Sequence, residues 1–165
     1  MALVVVSMTL GMGLLASEVV LRQVYPGPLF HDWLPAAPNL RMELRNQKLR
    51  GCAERITFTT NEWGMRGDPP PANWDRSFTI LTVGGSTTLC YHNDDKQTWP
   101  YQLQARLRAD DYDVWVGNAG FNGHTSRGHL LVMKHLVPQV KPDALVFLVG
   151  INDLLLSLTE RARVE

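Results

Sequence analysis

Residues 78–83 read Phe-Thr-Ile-Leu-Thr-Val, an apolar and β-branched run cut off by Gly84 and Gly85 and followed by Ser86. That pattern predicts a buried strand, a tight turn and a helix start. Upstream, residues 56–60 alternate apolar and polar as a half-exposed strand does, and residues 61–71 are turn-rich and end in three prolines. Downstream, Trp99, Leu103 and Leu107 fall at helical spacing within residues 99–108. Residues 112–116 predict the next strand, ending at Gly117-Asn118-Ala119-Gly120. A second helix is predicted over residues 125–137 from Leu130, Val132, Met133, Leu136 and Val137, closed by Pro138. The continuous apolar run 144–149 suits a strand covered on both faces. It ends at Gly150-Ile151-Asn152-Asp153, and residues 154–163 predict a third helix. Residues 40–50 carry only a weak apolar stripe, compatible with a short helix, and stay unassigned.

Strand, helix, strand, helix, strand, helix is the order of an α/β fold: a parallel sheet with helices on both faces, in three layers. Ligands bind such sheets outside the carboxyl ends of the strands. Ser86, Gly120 and Asn152 each follow such an end, so three turns distant in sequence are expected to meet along one edge. Ser86 also stands where a helix begins, beside backbone N–H groups free to stabilise negative charge. Gly-Gly-Ser-Thr alone is equally a turn with a helix cap, and Asn61 and Arg66 are equally loop packing; composition does not separate these readings.

Residues 2–16 carry no charge, and apolar residues resume at Val19, Val20 and Leu21. The run is apolar all round rather than striped, which predicts a membrane anchor or signal-anchor helix over residues 1–22. Four prolines between residues 25 and 38 predict a linker, taken here with the irregular stretch as residues 23–55. Residues 56–165 form the expected globular portion. The 16 Lys and Arg balance the 16 Asp and Glu, so no overall field attracts a polyanion and nucleic acid is not an expected partner. Cys52 and Cys90 lack the spacing of a zinc site; one disulfide or two free thiols both fit. No metal or cofactor is expected.

The three turn blocks together resemble the SGNH hydrolases, also called the GDSL esterase and lipase family. Gly84-Gly85-Ser86-Thr87 is similar to its first block, with Gly85 where the family often has Asp. Asn118-Ala119-Gly120 is similar to the second and Gly150-Ile151-Asn152-Asp153 to the third. Residues 60–67, Thr-Asn-Glu-Trp-Gly-Met-Arg-Gly, and 98–103, Thr-Trp-Pro-Tyr-Gln-Leu, resemble a branch in which an anchor precedes the hydrolase domain. The resemblance spans residues 56–157. It implies a flavodoxin-like three-layer fold and a serine hydrolase acting on esters, with Ser86 as nucleophile. It further implies an oxyanion hole of the Ser86 N–H, the Gly120 N–H and the Asn152 side-chain amide. The implied substrates are small acyl esters or acylated envelope carbohydrate, and the implied location is extracytoplasmic, periplasmic or at the cell surface. O-acyl transfer to carbohydrate, or a non-catalytic carbohydrate-binding remnant, are the alternatives. Phosphate binding at residues 84–88 ranks last, because the Lys and the Gly spacing of a P-loop are absent.

A serine hydroxyl needs a base to take its proton. The family's base lies in an Asp-x-x-His block, and no such block occurs in these 165 residues. His31, His92, His124, His129 and His135 all precede the third block. His31 and His135 are expected to be structural, and His92, His124 and His129 to serve loop polarity or substrate contact, so the chain is assigned no catalytic His or Asp. The expectation is that the hydrolase domain is incomplete at its C-terminus and that the natural chain continues.

Overall fold

The computed structural model describes residues 12–17, 19–20, 36–46 and 51–161. Met1–His31 and Asp32–Glu165 form two compact units. In the first, residues 12–17 and 19–20 are helical and exposed. The rest of the predicted anchor, most of the proline-rich stretch and His31 lie outside the described residues. Among the described residues no helix is long and apolar enough to cross a membrane.

The second unit is α/β. Its sheet has the order β4-β3-β5, from β3 (Phe78–Gly84), β4 (Val114–Gly120) and β5 (Ala144–Leu148), all parallel. Side-chain alternation along β3 divides two layers of core. Leu81 and Val83 join Trp115 and Ala119 under Val132 of α3 (Ser126–His135), Val140 of α4 (Val137–Val140) and Leu136 at the junction of the two helices. Ile80 joins Val114 and Val116 under Leu103 and Leu107 of α2 (Trp99–Ala109). Full burial of a Leu or Val contributes roughly 1.5–3 kcal/mol each, so these two apolar faces hold the sheet between its helices. The hydroxyl of Thr98 accepts from the Tyr101 N–H and Pro100 sits in the first turn, which starts α2 one residue after the cap.

Four expectations change. Residues 40–50 contain a strand, β1 (Arg41–Arg45), antiparallel to β2 (Arg55–Thr59), with Met42 opposite Phe58 and Leu44 opposite Ile56. Leu40, Met42 and Leu44 recur every second residue, the strand period, and pairing across the hairpin realises it; β1 therefore lies inside the stretch read as linker. β4 runs on through Gly117, Asn118 and Ala119, with Gly120 its last residue opposite Gly84. Pro138 does not close the second helix but sits in the first turn of α4, where a missing N–H costs nothing. Among the described residues β5 pairs only with β3, and Val146, Phe147, Leu148 and Val149 are exposed rather than covered on both faces.

Between β3 and α2 lies the short helix α1 (Ser86–Leu89). Gly120 packs directly against its backbone. A Cβ there would lie 2.6 Å from the Thr88 carbonyl carbon, 2.8 Å from Leu89 Cα and closer still to Leu89 N. These are main-chain atoms and cannot rotate away. Gly120→Ala is therefore expected to destabilise the fold by about 1–3 kcal/mol, read as a lower urea midpoint, and to displace α1.

Candidate active site

Ser86 is exposed at the head of α1, with Gly85 before it in extended backbone at the carboxyl end of β3. The Gly85 carbonyl accepts from the N–H groups of Thr88 and Leu89, and the Ser86 carbonyl from that of Cys90. The first N–H groups of the helix have no intrahelical acceptor and face the exposed end. This local geometry comes from the sequence: two glycines end the strand, and Cys90 in the left-handed region at φ 53° ends the helix after one turn.

Asn152 lies in the first turn of α5 (Ile151–Arg161), so the turn predicted to hold it is already helix. Its Nδ2 donates to the His124 carbonyl at 2.8 Å. Since that partner accepts only, the amide is held with its nitrogen inward, and its second N–H remains for another acceptor. A Cβ on Gly85 would stand 2.9 Å from the same nitrogen. The serine turn and the Asn152 amide, 66 residues apart in the chain (152 minus 86), thus come into contact distance.

Gly120 is the third expected residue, and its N–H is already donated, to Asn118 Oδ1 at 3.0 Å. The Asn118 amide nitrogen in turn donates to the Thr88 carbonyl at 2.9 Å. Asn118 therefore ties β4 to the helix that carries Ser86, a role that sequence reasoning missed. Its signal was an amide between Gly117 and Ala119 in an otherwise apolar strand, which predicts a buried hydrogen-bond partner. The turn after β4 is Phe121-Asn122-Gly123, where Gly123 is exposed at φ +77° and its N–H has no acceptor among the described residues.

The histidines fall as follows. His124 stacks its ring on Phe121 at 4.3 Å and packs against Gly128. His129 is buried beside it, ring centroids 5.8 Å apart, and His135 ends α3. His92 packs edge-on against Tyr91. Asn61 proves to organise its loop, its Oδ1 accepting from Trp63 N and Met65 N. Cys52 and Cys90 are free thiols, both half-exposed.

Asp153, next to Asn152, accepts from the N–H and the hydroxyl of Ser126 at the start of α3. Asn152 and Asp153 together fasten the 121–126 segment to α5. The Ser126 hydroxyl and then its N–H hold the Asp153 carboxyl below its ordinary value, against a smaller opposing effect of burial. A carboxyl depressed on folding stabilises above its unfolded pKa, and that contribution disappears as pH falls through the folded value. The Ser126 amide resonance is therefore expected to titrate below about pH 4, and to lose that titration in Asp153→Asn.

The part of the chain that carries these blocks is similar to known proteins. The family description "GDSL-like Lipase/Acylhydrolase" matches residues 81–165, just over half of the 165-residue chain. Esterase TesA of Pseudomonas aeruginosa is 39% identical over 75 residues, which are 46% of this chain and 37% of that protein. Among solved structures, AlinE4, a SGNH-hydrolase family esterase, is 29% identical with a TM-score of 0.46, covering 49% of this chain and 44% of its own. A crystal structure of TesA is 38% identical with a TM-score of 0.46, over 48% of this chain and 44% of its own. The chain spans less than half the length of each of these relatives.

Proposed function

Because the chain belongs to the GDSL-like lipase/acylhydrolase family, we propose that it is the Ser86-bearing portion of a serine hydrolase acting on ester bonds. The observation that carries the reading is the approach of the Asn152 amide to the serine turn, with 2.9 Å between its nitrogen and a Cβ position on Gly85. Ser86 Oγ attacks the ester carbonyl, and negative charge grows on the carbonyl oxygen between the Ser86 N–H and the spare Asn152 N–H. Donors fixed in advance stabilise that charge more than the neutral ester, which lowers the barrier. Resemblance assigned the third donor to Gly120. Its bond to Asn118 favours instead the unpaired N–H of Gly123, in the turn that follows.

The proton of Ser86 goes to the histidine base that the family resemblance implies, which then protonates the leaving alcohol. Water or a sugar hydroxyl resolves the acyl-enzyme, so hydrolysis and O-acyl transfer share this half of the reaction. The proposed substrates are small acyl esters or acylated envelope carbohydrate. The domain is proposed to sit outside the cytoplasm on the apolar N-terminal segment.

The test is turnover of p-nitrophenyl acetate and of an acetylated oligosaccharide by the full-length protein. The expected result is release of nitrophenol and acetate. Gly85 in place of Asp supports a second reading, a carbohydrate-binding module without catalysis. Under it the full-length protein binds glycan equally well with Ser86→Ala and turns over neither ester.

A further inference from the structure

A helix of four residues, α1, cannot hold its own orientation. Its carboxyl-terminal carbonyls are held from outside by two side chains. Asn118 Nδ2 donates to the Thr88 carbonyl at 2.9 Å. Arg66 Nη1 donates to the carbonyls of Leu89 at 2.7 Å and Cys90 at 2.5 Å. The rest of the guanidinium is engaged as well. Nε meets Asp95 Oδ1 at 2.8 Å, and Nη2 meets the carbonyls of Asn93 at 2.5 Å and Thr57 at 3.4 Å. The guanidinium carbon lies 4.5 Å over the Phe58 ring, and the Arg66 side chain is 1% exposed. The backbone N–H of Arg66 also donates to the Asn118 carbonyl at 3.0 Å.

We propose that Arg66 is a positioning residue for Ser86, fixing the pitch of the nucleophile's helix from its far end; this rests on the reading of Ser86 as nucleophile. A rigid planar donor that takes two successive carbonyls fixes direction as well as distance. Its charge also faces the negative end of the helix dipole. With a rise of about 1.5 Å per residue, the clamped end is only about 6 Å from Ser86, so tilt at one end moves the hydroxyl at the other. The frame behind Arg66 is the β1–β2 hairpin. Thr57 and Thr59 donate their N–H groups to Asp94 and Asp95, which locks the 94–95 turn onto β2. The hairpin upstream of the sheet is thereby part of the catalytic geometry, and Arg66 with Asn118 joins it to β4.

The test compares full-length wild type, Arg66→Lys, Arg66→Met and a control of similar thermal destabilisation remote from α1, Val140→Ala, well below the melting temperatures. Lysine keeps the charge but not the fork. Arg66→Lys is expected to lower kcat about tenfold to a hundredfold with KM within about twofold, and Arg66→Met more, while Val140→Ala leaves kcat unchanged. Hydrogen exchange is read alongside. The amides of Thr88, Leu89 and Cys90 are expected to lose protection in Arg66→Lys, with β3 unaffected. If kcat follows thermal stability alike in Arg66→Lys and Val140→Ala and the α1 amides stay protected, Arg66 is only structural and the proposal is wrong. A wild type that turns over no ester would count against the nucleophile reading instead, and the exchange data alone would then decide whether Arg66 clamps α1.

Discussion

Replacing Ser86 by Ala is expected to abolish turnover in the full-length protein, with a fall in kcat of about 10⁴ to 10⁶, the range seen when an activated nucleophile is removed. Stability should barely change. Ser86 is exposed, its hydroxyl has no hydrogen-bond partner among the described residues, and its carbonyl bond to Cys90 N survives the substitution. An exposed side chain without partners is worth within about 0.5 kcal/mol. Loss of activity without loss of melting temperature separates a chemical role from a helix cap. A cap would show the reverse, about 1 kcal/mol of stability and no chemistry.

The second large effect is at Asn152. Asn152→Ala is expected to lower kcat by about 10² to 10³, equivalent to about 2.7–4 kcal/mol of barrier, with little change in KM, because the donor acts on charge that exists only in the transition state. Asn152→Asp should be worse than Ala. In Asp an acceptor replaces Nδ2, so a carboxylate oxygen would face the His124 carbonyl that now accepts at 2.8 Å, and it would place negative charge where the oxyanion forms. The order wild type, Ala, Asp in kcat distinguishes an oxyanion donor from a residue that merely fills space, for which the near-isosteric Asp would be the milder change. Steady-state kinetics on one soluble ester measures all three.

Much of this site was legible because it rests on local chemistry. The run ending at Gly84 and Gly85 could only be a covered strand meeting a turn, and the Asn in Gly-Ile-Asn-Asp followed another apolar strand. The boundary at Gly120 was harder. Gly117 to Gly120 has the composition of a turn, yet it continues β4 because α1 lies so close that only glycine fits at position 120 and because the Asn118 amide satisfies a donor, the Gly120 N–H, and an acceptor, the Thr88 carbonyl. Those are tertiary facts, set by a helix 30 residues upstream of Asn118 at Thr88. Arg66 was illegible for the same reason. Its main-chain acceptors on Leu89, Cys90 and Asn93 lie 23 to 27 residues away, and a carbonyl leaves no mark on composition. β1 was missed because three apolar residues at alternate positions are too few to settle a period without the partner strand. The run 144–149 showed the opposite limit: an apolar sequence announces burial but not by what, and the exposed face of β5 depends on neighbours that the pattern does not name.

The most direct test of the central claim is covalent. Full-length protein is incubated with a fluorophosphonate, and the modified residue is located by peptide mass mapping. One adduct per chain is expected on Ser86, formed more slowly in Asn152→Ala and absent in Ser86→Ala. Folded protein that stays unmodified, or that carries the adduct on another residue, would contradict it.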